Sequence, residues 1–480
     1  MVEAMIILKI KGLPLVKKFI SFSFGGWIAL VVGLISTPVT TRLFSPDQLG
    51  KASMFILAVN VIMIFLIFGT DQAYVRFYYE ENEKKRNVLL RNSILFPIIT
   101  FTLLSPFLFI FQAQISQYLF EGEVSYTGLL LSAGILLMLF QRFGVLVIRM
   151  KQEGKLFSYI QIAMKVLTLF FTVLFFLKNG DYFNTIIWAQ LSMLIIIVFT
   201  AIWFGRDQWR FDFKGHETVH SIIDIFRFST PLVFTTLVMW VFQSFDRIAI
   251  KQFSDFTELG IYVAAFRVVV VLNVIQSSFT TFWSPVAFEQ YEKDSGNIWF
   301  YERMYIIVAV SMLLIGAVSI MGKDIIILLV GEKYRQASQI MPFLIFMPVM
   351  YTISETTVVG ISFYKKTKWS LFISIVICSV NIAGNYVLVP KYGGKGAAIS
   401  TGISYILFLI LRTLISLRYY KVNYHLPRLF FSIMILVVYA AYSTLFSWNW
   451  INVILGLVTI GFIIITYIPL LYKIKKTMLL

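Results

Sequence analysis

The chain has 480 residues, 59% of them hydrophobic and 14% charged, with a formal net charge of +17. A mean hydropathy of +0.83 excludes a soluble globular protein, because too few polar side chains exist to keep its surface wet. The basic excess therefore points to basic loops that orient membrane helices, and no nucleic-acid partner is expected.

Apolar runs of about 20 residues recur along the chain, each long enough to cross a hydrocarbon core of about 30 Å as a helix. They lack the short alternation of a membrane barrel, so the fold class is an all-α polytopic membrane protein. In chain order, fourteen spans are expected near 19–41, 52–73, 90–111, 126–148, 156–177, 183–204, 228–250, 259–283, 304–322, 340–363, 369–390, 396–416, 429–446 and 449–472. Lys9, Lys11, Lys17 and Lys18 resemble the start of a signal peptide. The run that follows is too long and has no small-residue cleavage site, so it counts as a mature span. With the N-terminus inside, Lys and Arg favour the inner loops by roughly three to one, which places both termini in the cytoplasm.

The first loop, TPVTTRLFSPDQLG at 37–50, has a later counterpart, DRIAIKQFSDFTELG at 246–260. Lys251 stands for Arg42, Phe253 for Phe44, and Leu259-Gly260 for Leu49-Gly50. Gly122-Glu123 echoes Gly331-Glu332, FYYEE at 77–81 echoes FEQYE at 288–292, and Lys178-Asn-Gly180 echoes Lys391-Tyr-Gly393. These echoes keep their order at a nearly constant spacing. They imply two parallel six-helix repeats, related by an axis along the membrane normal, with a substrate site between them. The expected organisation is an N-terminal lobe at 1–210, a C-terminal lobe at 211–421, and two further helices at 422–480. Pro38 and Pro231 hold comparable places in the two repeats and are expected to bend their helices.

No span carries enzyme chemistry. Cys378 is the single cysteine, so neither an internal disulfide nor a cysteine metal cluster can form. His216, His220 and His425 fall in inner loops. The four-residue spacing of the first two lacks the HExxH pattern, and a solvated loop pair is the better reading. GGKG at 393–396 lacks the Walker spacing, so no ATPase and no cofactor is expected. The longest outer loops, about 112–125 and 323–339, are too short to house an outer-face polymerase or ligase.

Charge within the spans is the remaining signal, because a charged side chain at mid-bilayer costs about 2.5–3.5 kcal/mol on insertion scales. Lys165 lies about 13 Å into the fifth span at the helical rise, and Arg267 lies well inside the eighth. Arg142 shares a face of the fourth span with Arg149. Arg42 and Arg76 lie close enough to an interface to snorkel. Together, Arg42, Arg76, Arg142, Lys165 and Arg267 suggest a cationic cavity for an anionic passenger. Asp71 and Asp246 are candidates for contacts with a coupling ion, Na+ or H+, or for structural pairing with Arg76 and Arg247.

These stretches, with GTDQAYVRFYYE (69–80), LLVGEKYRQASQIMPFL (328–344) and NIAGNYVLVPKYGGKGAAISTGISY (381–405), resemble the Wzx-type polysaccharide flippases of the multidrug/oligosaccharidyl-lipid/polysaccharide exporter superfamily. The likeness covers nearly the whole chain, and VPKYGGKGAA (389–398) is its most specific part. It implies two six-helix lobes around a V-shaped cavity plus two helices, alternating access, and residence in a bacterial plasma membrane. The implied substrate is an undecaprenyl-diphosphate-linked oligosaccharide, moved from the inner to the outer leaflet for a surface polysaccharide such as O-antigen. A polysaccharide polymerase and chain-length machinery are the implied partners besides the lipid bilayer. Arg42, Asp71, Arg76, Asp246 and Arg267 stand where the family favours charge, whereas Lys165 and Arg142 rest on the charge argument. A lipid II flippase, a cation-coupled drug antiporter of the same superfamily and the disfavoured outer-face polymerase or ligase are the alternatives.

Overall fold

A computed structural model describes residues 13–210, 219–324, 330–447 and 449–478. Lys9, Lys11 and His216 lie outside the described residues. The described chain is helical, without a strand. In order come α1 (Leu13–Leu43), α2 (Pro46–Ile67), α3 (Thr70–Phe77), α4 (Arg86–Ile110), α5 (Gln112–Phe120), α6 (Thr127–Met150), α7 (Gly154–Asn179) and α8 (Phe183–Phe204). Then follow α9 (Ile222–Phe253), α10 (Phe256–Lys293), α11 (Ile298–Met321), α12 (Ala337–Leu344), α13 (Phe346–Thr357), α14 (Val359–Phe363), α15 (Thr367–Leu417), α16 (Leu426–Leu445) and α17 (Trp450–Met478).

Among the described residues, twelve helical segments are long and apolar enough to cross a membrane. A thirteenth is α9, whose pieces Ile222–Pro231 and Thr236–Phe253 meet at 48°. The sequence expects fourteen, and the difference lies in α15. That helix is 51 residues long and has a non-helical Gly393 at φ 52° and ψ −134°. At 1.5 Å per residue it spans about 77 Å, enough for two crossings of a core of about 30 Å. It therefore holds the eleventh and twelfth expected spans, joined at the GGKG run. A side chain at Gly393 would need a backbone conformation rarely open to other residues, and its Cβ would sit 2.8 Å from Glu258 Oε2. The same carboxylate accepts the amide of Gly394 at 3.0 Å. The GGKG run is a connection between the two expected spans.

The chain divides into two compact units, residues 1–44 with 51–237 and residues 45–50 with 238–480. In the first, Val145 and Ile148 of α6, Ile160 of α7, and Met193, Leu194, Ile197 and Ala201 of α8 make a continuous apolar core. Helix α1 lies on α7, where Ser158 Oγ accepts the Gly25 amide at 3.1 Å. Pro38 leaves α1 continuous. Around it the hydroxyls of Thr37, Thr40 and Thr41 bond carbonyls one turn back, at Gly33, Ser36 and Thr37. In the second unit, Trp283, Tyr301, Phe363 and Tyr420 stack edge and face into an aromatic core. Leu177, Phe199 and Ile465 stay exposed, as expected of helices whose outer faces meet lipid.

The starts of α2 and α10, the two matched stretches of sequence, meet each other. Pro46 takes the first helical position with Asp47 behind it. In α10, Asp255 caps the Glu258 amide at 2.7 Å. A Cβ on Gly50 would collide with the carbonyl of Phe256, and one on Gly260 with the carbonyl of Pro46. The two matching segments thus cross reciprocally, each glycine against the other helix's first residue.

Candidate functional site

Each unit holds a polar cavity inside otherwise apolar helices. That of the first unit has about 200 Å³ and is lined by Asn60, Gly69, Asp71, Gln72, Arg142 and Thr236, among others. The chain reaches it through a sharp break after α2. Phe68 (φ 50°) and Gly69 (φ 71°) are both left-handed, and α3 starts immediately after them. Phe68 pays the steric cost of that conformation and packs its ring on Phe96 and Phe226. The break places Asp71 in the first turn of α3, where the helix dipole favours an acid. Asp71 is 5% exposed. Its Oδ2 accepts Arg142 Nε at 3.0 Å and Nη2 at 2.6 Å, a charge-assisted pair reaching from α6.

The cavity of the second unit is larger, about 450 Å³, with Gln243, Asp246, Arg247, Asn273, Gln276, Tyr351, Thr401 and Tyr405 among its walls. Asp246 is 4% exposed. Its Oδ1 accepts Asn385 Nδ2 at 2.8 Å and Asn381 Nδ2 at 3.2 Å. Its Oδ2 accepts Thr401 Oγ1 at 2.5 Å and Tyr262 Oη at 2.6 Å. Four neutral donors, from both arms of α15 and from α10, thus hold one carboxylate.

The pairings differ from those the sequence suggests. Asp71 pairs with Arg142 rather than Arg76, because the break after α2 turns it toward α6. Arg76 pairs one helical turn on with Glu80. Asp246 is held by the neutral group and has no ion pair with Arg247 within 4 Å. Of the five cationic candidates, Arg142 lines one of these two cavities; Arg42, Arg76, Lys165 and Arg267 line neither. Arg42 ends α1 exposed, Lys165 is exposed on α7, and Arg267 is half-buried on α10.

Other groups escape the sequence reading. Asn381 and Asn385 are four apart and share a helix face, a signal that was present in NIAGN. Glu355 of α13 lies inside an expected span and meets Arg412 of α15 at 2.8 Å. Arg412 also donates to Ser354 at 2.6 Å and stacks on Phe408. Both partners are largely buried, and the pair ties α13 to α15. At the end of α3, His220 stacks on Phe77 and meets Glu80 Oε2 at 2.8 Å. The Arg76 guanidinium, and next to it His220, hold the Glu80 carboxyl below the usual range. In the second unit His425 and Glu302 make a similar pair at 2.9 Å. Among the described residues, no group of three or more His, Cys, Asp or Glu is placed to hold a metal ion.

A model of the family described as polysaccharide biosynthesis protein matches residues 15–290. A capsular polysaccharide biosynthesis protein, CapF of Staphylococcus aureus, is 22% identical over 385 residues, covering 78% of this chain and 91% of that protein. Among solved structures, an inward closed conformation of the lipid II flippase MurJ superposes with a TM-score of 0.67 at 16% identity, covering 94% of this chain and 99% of that one. An inward-facing transporter of the multidrug resistance MATE family, from the MOP superfamily, gives 0.60 at 15% identity over 82% of this chain and 93% of that one. The chain is a multi-pass membrane protein that shares the fold of these two solved structures.

Proposed function

Because the chain belongs to the polysaccharide biosynthesis protein family, we propose that it is a flippase rather than an enzyme, moving an undecaprenyl-diphosphate-linked oligosaccharide from the inner to the outer leaflet by alternating access. The observation that carries this reading is charge placed on cavity walls within apolar helices: Asp71 with Arg142 in one unit, Asp246 with Arg247 in the other. Such residues are expensive in a membrane and mark a passage for polar cargo. Arg142 is the first candidate for the diphosphate, with Arg42, Arg76, Lys165 and Arg267 as further cationic positions along the route.

The membrane potential favours the direction. Two negative charges moving out of a negative interior gain about 4.6 kcal/mol at 100 mV, provided the empty carrier returns uncharged. If it does not, a coupling cation supplies the difference. Asp246 and its neighbours Asn381, Asn385 and Thr401 are the contact proposed for that ion, Na+ or H+, and Asp71 is the alternative. The plasma membrane is the proposed site, with both termini cytoplasmic. A polysaccharide polymerase with its chain-length machinery is the proposed neighbour.

The test is deletion of the protein, followed by identification of the lipid-linked glycan that accumulates on the inner leaflet. A surface-polysaccharide repeat unit is expected, and no accumulation of any such lipid would refute the proposal. Structural likeness to a lipid II flippase favours a second reading, and accumulation of peptidoglycan precursor would select it.

A further inference from the structure

The cavity of the second unit has more polar chemistry than Asp246 uses. Its volume of about 450 Å³ lies in the range of small-molecule sites, about 300–1,000 Å³. Each oxygen of Asp246 accepts two hydrogen bonds from neutral donors, none of them from Arg247. Arg247 is half-buried, and among the described residues no carboxylate makes a salt bridge with it. Its guanidinium lies 5.7 Å from the Phe266 ring centre. Gln243 precedes Arg247 by one turn of α9, so the two share a face. Asn273, Gln276 and Ser277 do the same on α10. The side-chain oxygen of Asn273 is buried without a hydrogen-bond partner, and such an acceptor calls for a donor.

Two requirements follow for a ligand. An oxyanion suits the unpaired guanidinium, whose fork matches carboxylate or phosphate oxygens. Hydroxyl donors suit Asn273, and side-chain amides offer a donor and an acceptor side by side, as neighbouring sugar hydroxyls need. A bare phosphate lacks those hydroxyls, and a neutral sugar leaves Arg247 unanswered.

We propose that this cavity is a subsite for an anionic sugar unit of the transported glycan, with its oxyanion on Arg247 and its hydroxyls on Gln243, Asn273 and Gln276. The proposal rests on the flippase reading and names the part of the cargo that this unit holds. The oxyanion is either a sugar carboxylate or a phosphate attached to the sugar.

The test is saturation-transfer NMR with dissociation constants measured on purified full-length protein in detergent. The four probes are glucuronic acid, glucose 1-phosphate, glucose and inorganic pyrophosphate. Both anionic sugars should bind about tenfold tighter than glucose. Tighter glucuronic acid identifies a carboxylate as the oxyanion, and tighter glucose 1-phosphate a phosphate. Arg247→Gln should bring both down to the level of glucose, whereas Lys178→Gln, outside the cavity, should leave the order unchanged. Equal binding of glucose and the anionic sugars overturns the proposal, as does a preference that survives Arg247→Gln. Pyrophosphate binding as tightly as the sugars, and unchanged by Asn273→Leu, overturns the hydroxyl half. The four wild-type affinities decide even if a variant misfolds. Protein that fails to discriminate yet still relieves the inner-leaflet accumulation sinks the subsite and keeps the flippase.

Discussion

The two cavities handle one buried acid in opposite ways. In the first unit Asp71 is paired with a guanidinium from another helix, and Arg142 itself stays half exposed on the cavity wall. In the second, Asp246 is satisfied by amides and hydroxyls, and among the described residues no carboxylate makes a salt bridge with Arg247 beside it. The ion pair of the first unit engages Arg142 through Nε and Nη2 and leaves the rest of its fork facing the cavity. A carboxylate held by neutral dipoles leaves the guanidinium beside it without a salt bridge to it. The two units therefore present different electrostatic surfaces to whatever enters their cavities.

The comparison is broken most severely at Asp246. Asp246→Leu removes the acceptor shared by four donors; the Asn381 and Asn385 amides keep other acceptors, and the Tyr262 and Thr401 hydroxyls lose theirs. At about 1–3 kcal/mol for each unsatisfied hydroxyl, a stability loss of roughly 2–6 kcal/mol and loss of transport are expected. Thermal unfolding in detergent and assay of inner-leaflet glycan read the two effects. Asp246→Asn should restore most of the stability and little of the transport if the charge itself matters. Next come Gly50→Ala and Gly260→Ala. Because the crossing is reciprocal, similar losses of about 1–3 kcal/mol are expected from each. A loss confined to one would deny the equivalence of the repeats at this point.

A smaller effect is expected at the first cavity. Arg142 is half exposed, so the pair with Asp71 is partly screened and Arg142→Gln should cost about 1–2 kcal/mol. The double variant with Asp71→Asn should recover part of that loss, as a double-mutant cycle would show. The smallest effect concerns the pairs formed by Glu80 with His220 and by Glu302 with His425. The Glu80 carboxyl is held low by Arg76 and then by His220. Its contribution is complete above the unfolded value of about 4.3 and is lost as pH falls through the lower folded value. Unfolding of Glu80→Gln should therefore lose acid sensitivity below about pH 4 relative to wild type, and an unchanged acid limb would contradict this.

Much of the fold was legible because bilayer thickness imposes a length on every apolar run, and because the loop at 37–50 could be matched to 246–260 by residue type. The division of α15 was legible too, although its cause was not: GGKG showed that the chain breaks but not that Glu258 would hold the break. The site was less readable. Arg142 and Asp71 are 71 positions apart, and nothing in the spacing joins them. Asp71 faces α6 because Phe68 adopts a left-handed backbone, a conformation that a phenylalanine does not advertise. Around Asp246 the partners are neutral, and charge does not single out Asn381, Asn385 and Thr401. Lys165 and Arg267 lie deep in their apolar runs, yet that depth does not translate into a place on either cavity wall.

The crossing of Gly50 and Gly260 has a consequence for the divergence of such a chain. Each side offers the same short surface to the other, so the contact is self-complementary in the way of a two-fold dimer. The likeness lies in the backbone, glycine against carbonyl on both sides, while the side chains beside it, Pro46 and Phe256, differ. A close approach set by backbone alone tolerates divergence of its neighbours and admits no side chain at either glycine.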